Sequence, residues 1–263
     1  MSRSILTVPV HKVEAESSTP FQDLLAVEEP LEIRLGGKTV SITMRTPGHD
    51  PELSVGFLFT EGILSDPAQI QEVRSSKNSI KIDLKPEVEI DFDRLKRHFY
   101  TTSSCGVCGK ASIEALRIQG CPVLPVRSAM MASSVIRGLP EVLRADQRVF
   151  ERTGGLHGAA LFDAQGKLLL LREDIGRHNA VDKVIGAQFL AGHIPLQETL
   201  LLVSGRASFE LTQKSLMAGI PILAAVGAPS SLAVETAQRF NMTLLGFVRD
   251  GRFNIYSGAS RIQ

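Results

Sequence analysis

Hydrophobic and polar residues alternate along much of the first third of the chain. Residues 31–44 alternate on both sides of a Gly-Gly pair, a pattern typical of a β-hairpin. The run Asp-Pro-Glu at 50–52 predicts a helix start, since it supplies an N-cap, an early proline and an early acid. Residues 79–92 alternate again and predict an extended segment, whereas residues 1–30 show no sustained periodicity. The pattern predicts a mixed α+β arrangement in this part.

After residue 130 the pattern changes to strands that alternate with helices. Residues 133–150 predict a helix in two pieces, broken at Gly138-Leu139-Pro140. The run 199–204 is almost entirely apolar, as in a strand buried on both faces. The other predicted elements are a hairpin over 158–172, helices at 179–191, 209–218 and 230–240, and strands at 221–226 and 243–248. Together they predict an α/β fold class with a βαβαβ run at the C-terminal end.

These patterns divide the chain into a peripheral N-terminal segment (1–30), an α+β portion (31–130) and an α/β portion (131–263). The 263 residues are 43% hydrophobic and 22% charged, which is ordinary for a globular protein. A net charge of +1 favours neither nucleic acid nor an anionic membrane as a partner. No apolar run approaches the roughly 18 residues of a membrane span, and the N-terminus has no signal-peptide core. We expect a cytoplasmic protein.

Cys105 and Cys108 follow a run of hydroxyl side chains and precede a predicted helix. The helix start and Lys110 both lower a thiol pKa, so thiolates are favoured. A zinc site needs four ligands, and Cys121, the third cysteine, has no second CxxC or CxH beside it. A thioredoxin-like pair follows a strand, whereas a basic run at 94–100 precedes this one. We therefore favour a thiolate that carries sulfur over two buried structural cysteines.

Other segments place glycines and polar side chains beside predicted strands, and each has a structural alternative. Gly154, Gly155 and His157 predict exposed amides that cradle an anion, or else a turn into the next strand. His178 and Asn179 lie between a strand and a helix, where α/β proteins place ligand loops, or else they belong to a capped helix start.

Two further segments are candidates for binding phosphate. Ser204, Gly205 and Arg206, with Ser208, follow the apolar strand and precede a helix, although their spacing matches no nucleotide fingerprint. The second segment is a predicted hairpin turn whose arginines and aromatic neighbours would also clamp phosphate or stack on a base. Its residues are Phe247, Val248, Arg249, Asp250, Gly251 and Arg252.

Several long motifs occur together in this sequence. The three longest are Arg-Thr-Pro-Gly-His-Asp-Pro-Glu-Leu-Ser-Val-Gly-Phe-Leu-Phe-Thr-Glu-Gly at 45–62, Thr-Thr-Ser-Ser-Cys-Gly-Val-Cys-Gly-Lys at 101–110 and Arg-Glu-Asp-Ile-Gly-Arg-His-Asn-Ala-Val-Asp-Lys at 172–183. They are accompanied by Gly-Gly-Leu-His at 154–157, Ser-Gly-Arg-Ala-Ser at 204–208 and Phe-Val-Arg-Asp-Gly-Arg at 247–252. In these motifs the chain resembles FdhD, the formate dehydrogenase accessory sulfurtransferase family, from about residue 30 to 257.

The resemblance implies a sulfurtransferase. In such proteins a cysteine desulfurase supplies sulfur as a persulfide, which falls here on Cys105, while the role of Cys108 stays open. The sulfur passes to molybdenum bis(molybdopterin guanine dinucleotide), bound as cargo, before that cofactor enters formate dehydrogenase. The cofactor-binding segment of the family falls on residues 247–252. Because the cargo carries pyrophosphates and guanines, we expect Arg206 and the loop 172–179 to assist.

The resemblance also implies a homodimer and a fold like that of cytidine deaminases. Zinc deaminases carry His-x-Glu and then Pro-Cys-x-x-Cys. Here Ser104 replaces the proline and no His-x-Glu precedes the cysteines, so a zinc-activated water is not supported. Two alternatives stay open at this point: a non-catalytic chaperone of the molybdenum cofactor, and a metal-binding or redox module.

Overall fold

The computed structural model describes residues 4–88, 120–125 and 129–263. The strands in these ranges are β1 (Ile5–Glu14), β2 (Ser17–Ala26), β3 (Glu29–Leu35), β4 (Lys38–Arg45), β5 (Ile70–Ser76), β6 (Ser79–Leu84), β7 (His157–Asp163), β8 (Leu168–Asp174), β9 (Thr199–Val203), β10 (Ile222–Ala225), β11 (Thr243–Arg249) and β12 (Arg252–Ser257). The α-helices are α1 (Asp50–Thr60), α2 (Ser133–Asp146), α3 (Arg148–Thr153), α4 (Arg177–Leu190), α5 (Phe209–Met217) and α6 (Ser231–Arg239). Short 3₁₀ turns lie at Pro67–Gln69 and Ala259–Arg261.

A six-stranded sheet in the order β12-β11-β10-β9-β7-β8 forms the centre of the molecule. The middle strands β9, β10 and β11 are parallel, whereas β7 runs antiparallel to both β8 and β9. Strands β8 to β11 therefore all end at the same edge of this sheet, and β7 begins there. All five residues of β9 are buried, which confirms the strand predicted from its apolar run.

Both faces of the central sheet are covered. One face packs against α2 through Ile136, Leu139 and Leu143. The other face shares a core with α1, α4, α5 and α6 and with a second sheet in the order β4-β3-β6-β5. The predicted α/β class is confirmed, and the two predicted portions pack around one core. The boundary between those portions stays a prediction.

Helices α1 and α4 cross with almost no space between their backbones. A Cβ atom built on Gly56 would lie 1.9 Å from the carbonyl oxygen of Asp182, and one built on Gly186 would lie 1.9 Å from that of Glu52. No side chain fits at either position. This crossing joins the N-terminal helix to the helix that leads into β9, so it fixes the N-terminal portion on the sheet.

The hairpin predicted over residues 31–44 is confirmed as β3 and β4. Its turn glycines, Gly36 and Gly37, have φ angles of 53° and 86°, which a two-residue turn of this hand requires. The segment predicted as peripheral forms a second hairpin, β1 with β2, whose residues are mostly exposed. Since most residues of this hairpin are exposed, its sequence carries no clear apolar alternation.

The predicted break at Gly138-Leu139-Pro140 was wrong. Helix α2 continues through Pro140 to Asp146, and the chain leaves the helix at Gln147. Proline removes one backbone hydrogen bond. The amphipathic face that α2 buries against the sheet compensates for that loss. None of the helices within the described ranges combines the length and apolar character needed to cross a bilayer.

Two paired arginines fix the motif at 45–62, one from within the motif and one from β8. The buried Arg45 donates from Nε and Nη2 to the two carboxylate oxygens of Asp50, at 3.0 and 3.1 Å. Arg172 of β8 donates from Nε and Nη2 to Glu52 of α1, at 2.6 and 2.9 Å. Such two-point pairs fix the relative orientation of the two side chains and also neutralise their charges. The motif therefore has a structural function that the sequence alone did not indicate.

The Glu52–Arg172 pair predicts a loss of stability in acid. Burial alone would raise the pKa of Glu52, but hydrogen bonds from Arg172 and His49 outweigh it and lower the pKa from 4.5 to about 2. A lowered folded-state pKa stabilises the protein fully above the unfolded value, and that contribution is lost as pH falls from about 4.5 towards 2. We expect Arg172→Gln to reduce the difference in unfolding free energy between pH 6 and pH 3, measured by urea denaturation. The exposed Arg137→Gln should leave that difference as in the unmodified protein, and an equal effect of both variants would contradict the prediction.

Candidate functional site

Predicted site residues from four strands meet at the carboxyl edge of the central sheet. The backbone contacts between strands continue past the strand ends: the Ser204 amide donates to the Gly158 carbonyl, and Gly227 donates to Gly205, both at 2.9 Å. The Phe247 amide in turn donates to the Gly227 carbonyl at 3.0 Å. The Ser204 hydroxyl also accepts from the Gly158 amide at 2.9 Å. In α/β proteins this edge is where ligands bind.

His157 begins β7 and lies half-buried in this edge. It pairs in register with Asp174, and a Cβ on Gly205 would lie 3.4 Å from its Nδ1. Burial and the nearby charges of Arg177 and His178 lower the pKa of His157, and Asp174 opposes them only partly. The lowered pKa favours the neutral form of the His157 imidazole.

Three helices begin at the same edge: α4 after Gly176, α5 after Ser208 and α6 after Ser230. The first turns of these helices carry partial positive charge and free backbone N–H groups. Ser230 caps its helix by accepting from the Ala233 amide, whereas the Ser208 hydroxyl makes no such bond. The edge is thus electropositive through its backbone as well as through its arginines.

His178 and Glu210 face each other across the starts of α4 and α5. The His178 Nε2 and the Glu210 carboxylate are 3.8 Å apart, which is an ion-pair distance and too long for a hydrogen bond. The adjacent His178, the backbone amide of Glu210 itself and the Ser208 hydroxyl together lower the pKa of Glu210 to about 2, against the opposing effect of partial burial. Glu210 is therefore an ionised carboxylate within an otherwise electropositive edge.

The hairpin of β11 and β12 presents the predicted arginines. A bulge between Gly246 and Arg249 leaves Phe247 with a φ of 53°, unusual for an aromatic residue. The Arg249 guanidinium lies 5.6 Å from the centre of the Phe247 ring, and Arg252 is the register partner of Arg249. Both arginines are exposed.

The other residues of the segment 247–252 have structural functions. Val248 is fully buried in the core beneath the hairpin. Asp250 and Gly251 form the turn, with φ angles of 53° and 69°. Arg206 is exposed and packs beside Gly227 at the same edge. The structure therefore brings the arginines, His157 and His178 to one edge.

Three predicted site residues lie away from the open part of the edge. Asn179 is buried, and its amide nitrogen donates to the Met44 carbonyl and to Asp174 at 2.8 and 3.0 Å. Gly154 ends α3 with a positive φ and donates to Phe150. The Gly155 amide donates to the Thr153 hydroxyl. Both glycine amides are therefore engaged, and the expected anion cradle at these two positions lacks its donors.

Cys105 and Cys108 lie outside the described residues, so their predicted function stays a prediction. Cys121 is described: it is buried, and burial raises the pKa of its thiol to about 12. A thiol with that pKa is not a nucleophile at neutral pH. The sequence reasoning missed Gly227 and Glu210. A glycine directly after an apolar run at 222–226, and an acid at the second position of the predicted helix 209–218, were the signals available.

The family model for the FdhD/NarQ family matches residues 26–263. The chain belongs to the FdhD/NarQ family. A sulfur carrier protein FdhD from Streptomyces coelicolor is 49% identical over 251 residues, covering 91% of this chain and 89% of that protein. The corresponding protein from Mycolicibacterium paratuberculosis is 51% identical over 255 residues, with coverage of 91% and 92%.

A solved structure has the same fold. It is that of a candidate formate dehydrogenase accessory protein from Desulfotalea psychrophila, with a TM-score of 0.79 and 22% identity. The match covers 99% of this chain and all of that one. The N-terminal hairpin lies largely outside the FdhD/NarQ model, whereas the whole carboxyl edge lies within it.

Proposed function

We propose that this protein carries sulfur to the molybdenum cofactor used by a formate dehydrogenase. The observation that carries the proposal is its similarity, at about half of all positions and over nine-tenths of the chain, to proteins named sulfur carrier protein FdhD. The proposal includes a cytoplasmic location, a homodimer, a cysteine desulfurase as donor, and formate dehydrogenase as the recipient of the cofactor.

The first chemical step is a thiolate exchange at Cys105. The Cys105 thiolate attacks the outer sulfur of the donor persulfide, an S–S bond forms to Cys105, and the donor leaves as its thiolate. No net oxidation takes place, because one S–S bond replaces another. The sequence places Cys105 beside Lys110 and a predicted helix start, both of which favour the thiolate. Transfer of the outer sulfur to the cargo would break the S–S bond and release Cys105 as its thiolate, and the two electrons that bring the sulfur to the sulfide level would come from the molybdenum of the cargo or from an added thiol reductant.

The carboxyl edge of the sheet is suited to the cargo, molybdenum bis(molybdopterin guanine dinucleotide). Each pyrophosphate of such a molecule needs cationic or N–H donors, and three helix starts with Arg206, Arg249 and Arg252 supply them. The Arg249–Phe247 pair adds a flat surface of the kind on which a base stacks. We propose that the sulfur-bearing segment meets the cargo at this edge.

The test is mass spectrometry of the full chain after incubation with a cysteine desulfurase and cysteine. We expect a gain of one sulfur atom on Cys105 that reduction by dithiothreitol removes, and loss of this gain in Cys105→Ala. Cys121→Ala is the matched control, because the thiol of Cys121 is buried and protonated and its removal should leave the sulfur gain intact.

The main alternative is a cofactor chaperone that does not carry sulfur. In that case the molybdenum cofactor would bind while no sulfur appears on Cys105. Equal sulfur gain in the Cys105→Ala and unmodified proteins would also contradict the proposal. Cys108→Ala tests the open function of the second cysteine: retention of the persulfide with loss of transfer would make Cys108 an auxiliary thiol in delivery.

A further inference from the structure

The N-terminal hairpin of β1 and β2 presents apolar side chains to solvent on one face. Its antiparallel register places Leu6 opposite Leu25 and Val10 opposite Phe21, and directly opposed residues share a face. Leu6, Phe21 and Leu25 are 54%, 50% and 45% exposed. We call this surface, formed by Leu6, Val10, Phe21 and Leu25, the arm face.

The other face and the two edges of the hairpin are not suited to bind a partner. Ala26, on the opposite face, lies 3.5 Å from a Cβ built on Gly155, so that face turns towards the body of the molecule. The pair that closes the two-residue turn is hydrogen-bonded, so the pairs that contain Pro9 and Pro20 are not, and both prolines turn their nitrogens outward. A further strand would find no N–H donor there. The hairpin can therefore be covered on its arm face but is poorly suited to extension at an edge.

A second exposed apolar surface lies on β3 and β4. The register pairs Pro30 with Met44 and Glu32 with Ile42, whereas Leu31 between them is buried in the core. These paired residues therefore share the outer face of the sheet. Ile42 is 66% and Met44 is 47% exposed. We call the surface of Pro30, Ile42 and Met44 the receiver face. Since the arm face and the receiver face both stay exposed, the arm does not cover the receiver of its own chain.

The size of these surfaces favours a second copy of the chain as the occupant. Each strand of the hairpin has ten residues, so one face is about 33 Å long and about 10 Å wide, or about 330 Å². A stable interface buries about 800 Å² on each partner, so a partner that covered only the arm face would bury too little. A twofold dimer buries both the arm face and the receiver face of each copy. That doubles the area to about 660 Å² for each copy and about 1,300 Å² in total, within the range of stable interfaces.

The extent of the family match favours the same occupant. The FdhD/NarQ model begins at residue 26, so nearly all of the hairpin lies outside it. A sulfur donor or a recipient enzyme common to the family would bind a surface that the family shares. A second copy of this chain, by contrast, always carries the receiver face that matches the arm face.

We propose that the arm face of one copy packs on the receiver face of a second copy, and reciprocally, across a twofold axis. This inference rests on the proposed function for the homodimer and names the surface through which that dimer forms. It also explains how a hairpin with an uncovered apolar face is held in place, because a two-stranded hairpin is at best marginally stable alone.

The experiment is sedimentation velocity of the full chain over a dilution series, with Phe21→Asp as the test variant. We expect the unmodified chain to dimerise, and Phe21→Asp to raise the dissociation constant at least about 100-fold, because the twofold axis buries the new charge twice. Ile42→Asp tests the receiver face and should have the same effect. Leu190→Asp is the matched control, since Leu190 at the end of α4 is 41% exposed and belongs to neither face. Circular dichroism checks that all variants are folded.

A monomeric unmodified chain, or a Phe21→Asp dimer as tight as the unmodified one, would overturn the inference. A monomeric chain whose Phe21→Asp variant no longer accepts sulfur from the desulfurase would also overturn it and assign the arm face to the donor. An unaffected dimer in Ile42→Asp would overturn the assignment of the receiver face. Persulfide formation on Cys105 of the unmodified protein is measured in parallel: its absence alongside an arm-dependent dimer would refute sulfur transfer and leave the interface standing.

Discussion

Gly186→Ala is expected to prevent normal folding of this chain. The added methyl group would lie 1.9 Å from the Glu52 carbonyl oxygen and 2.7 Å from the Gly56 nitrogen. Both are backbone atoms of α1, so no side-chain rotation relieves the clash. The helices must separate, which opens the core that α1 and α4 share. We expect a loss of more than about 4 kcal/mol in the free energy of unfolding, or no soluble protein.

Gly138→Ala is the control for this prediction. Gly138 also lies within a helix, α2, and a Cβ there would meet no atom within 4 Å. Alanine favours helix over glycine by up to about 1 kcal/mol, so this variant should be as stable as the unmodified protein or slightly more so. Both variants are compared by urea denaturation followed by circular dichroism. A Gly186→Ala protein as stable as Gly138→Ala would show that the helices do not cross as closely as described.

The sequence predicted elements wherever local patterning and the final environment agree. The fully apolar run of β9 and the Gly-Gly turn of β3 and β4 are examples, because burial on two faces and positive φ each leave a local signature. Helix α2 was predicted incorrectly at Pro140, because the sheet that holds the helix together is distant in sequence. Local propensity contains no information about that contact.

The candidate site was likewise predictable from the sequence only in part. Glycines and polar residues after predicted strands indicated the edge, since parallel strands end together. The sequence did not separate residues that face the edge from those that support it. Asn179 and His178 are neighbours in sequence, yet one is enclosed by Met44 and Asp174 and the other faces Glu210. That distinction depends on tertiary packing between β4 and α4.

Lys183→Met is expected to be the second most damaging substitution. Lys183 and Asp174 are fully buried, with the ammonium nitrogen 2.7 Å from the carboxylate. The lysine also donates to the carbonyls of Thr46 and Glu173, at 3.0 and 3.2 Å. Methionine preserves much of the volume but leaves the Asp174 charge without its cation. Removing one member of a buried pair costs about 3–5 kcal/mol, measured as a decrease in the free energy of unfolding in urea at pH 7.

A double-mutant cycle separates the interaction energy between Lys183 and Asp174 from the effects of the two single substitutions. Asp174→Asn alone leaves the buried lysine charge unpaired, so it should also be strongly destabilising. The double variant, Lys183→Met with Asp174→Asn, leaves no unpaired charge. The double variant should therefore cost less than the two single variants added together. Lys12→Ala, which breaks an exposed ion pair with Glu14, should have no measurable effect. Strict additivity in the cycle would contradict a coupled buried pair.

The position of Asp174 connects this stability to the site. Its carboxylate accepts from the amides of Thr46 and Gly176 at 3.1 and 2.8 Å, so it joins the end of β4 to the start of α4. His157 is its register partner, and His178 follows in the first turn of the same helix. Loss of Lys183 should therefore move His178 relative to Glu210 even below the unfolding transition. We expect Lys183→Met to shift the imidazole NMR signals of His178 at 10 °C, where the variant is still folded by circular dichroism, and unchanged signals would show that the edge keeps its geometry without this pair.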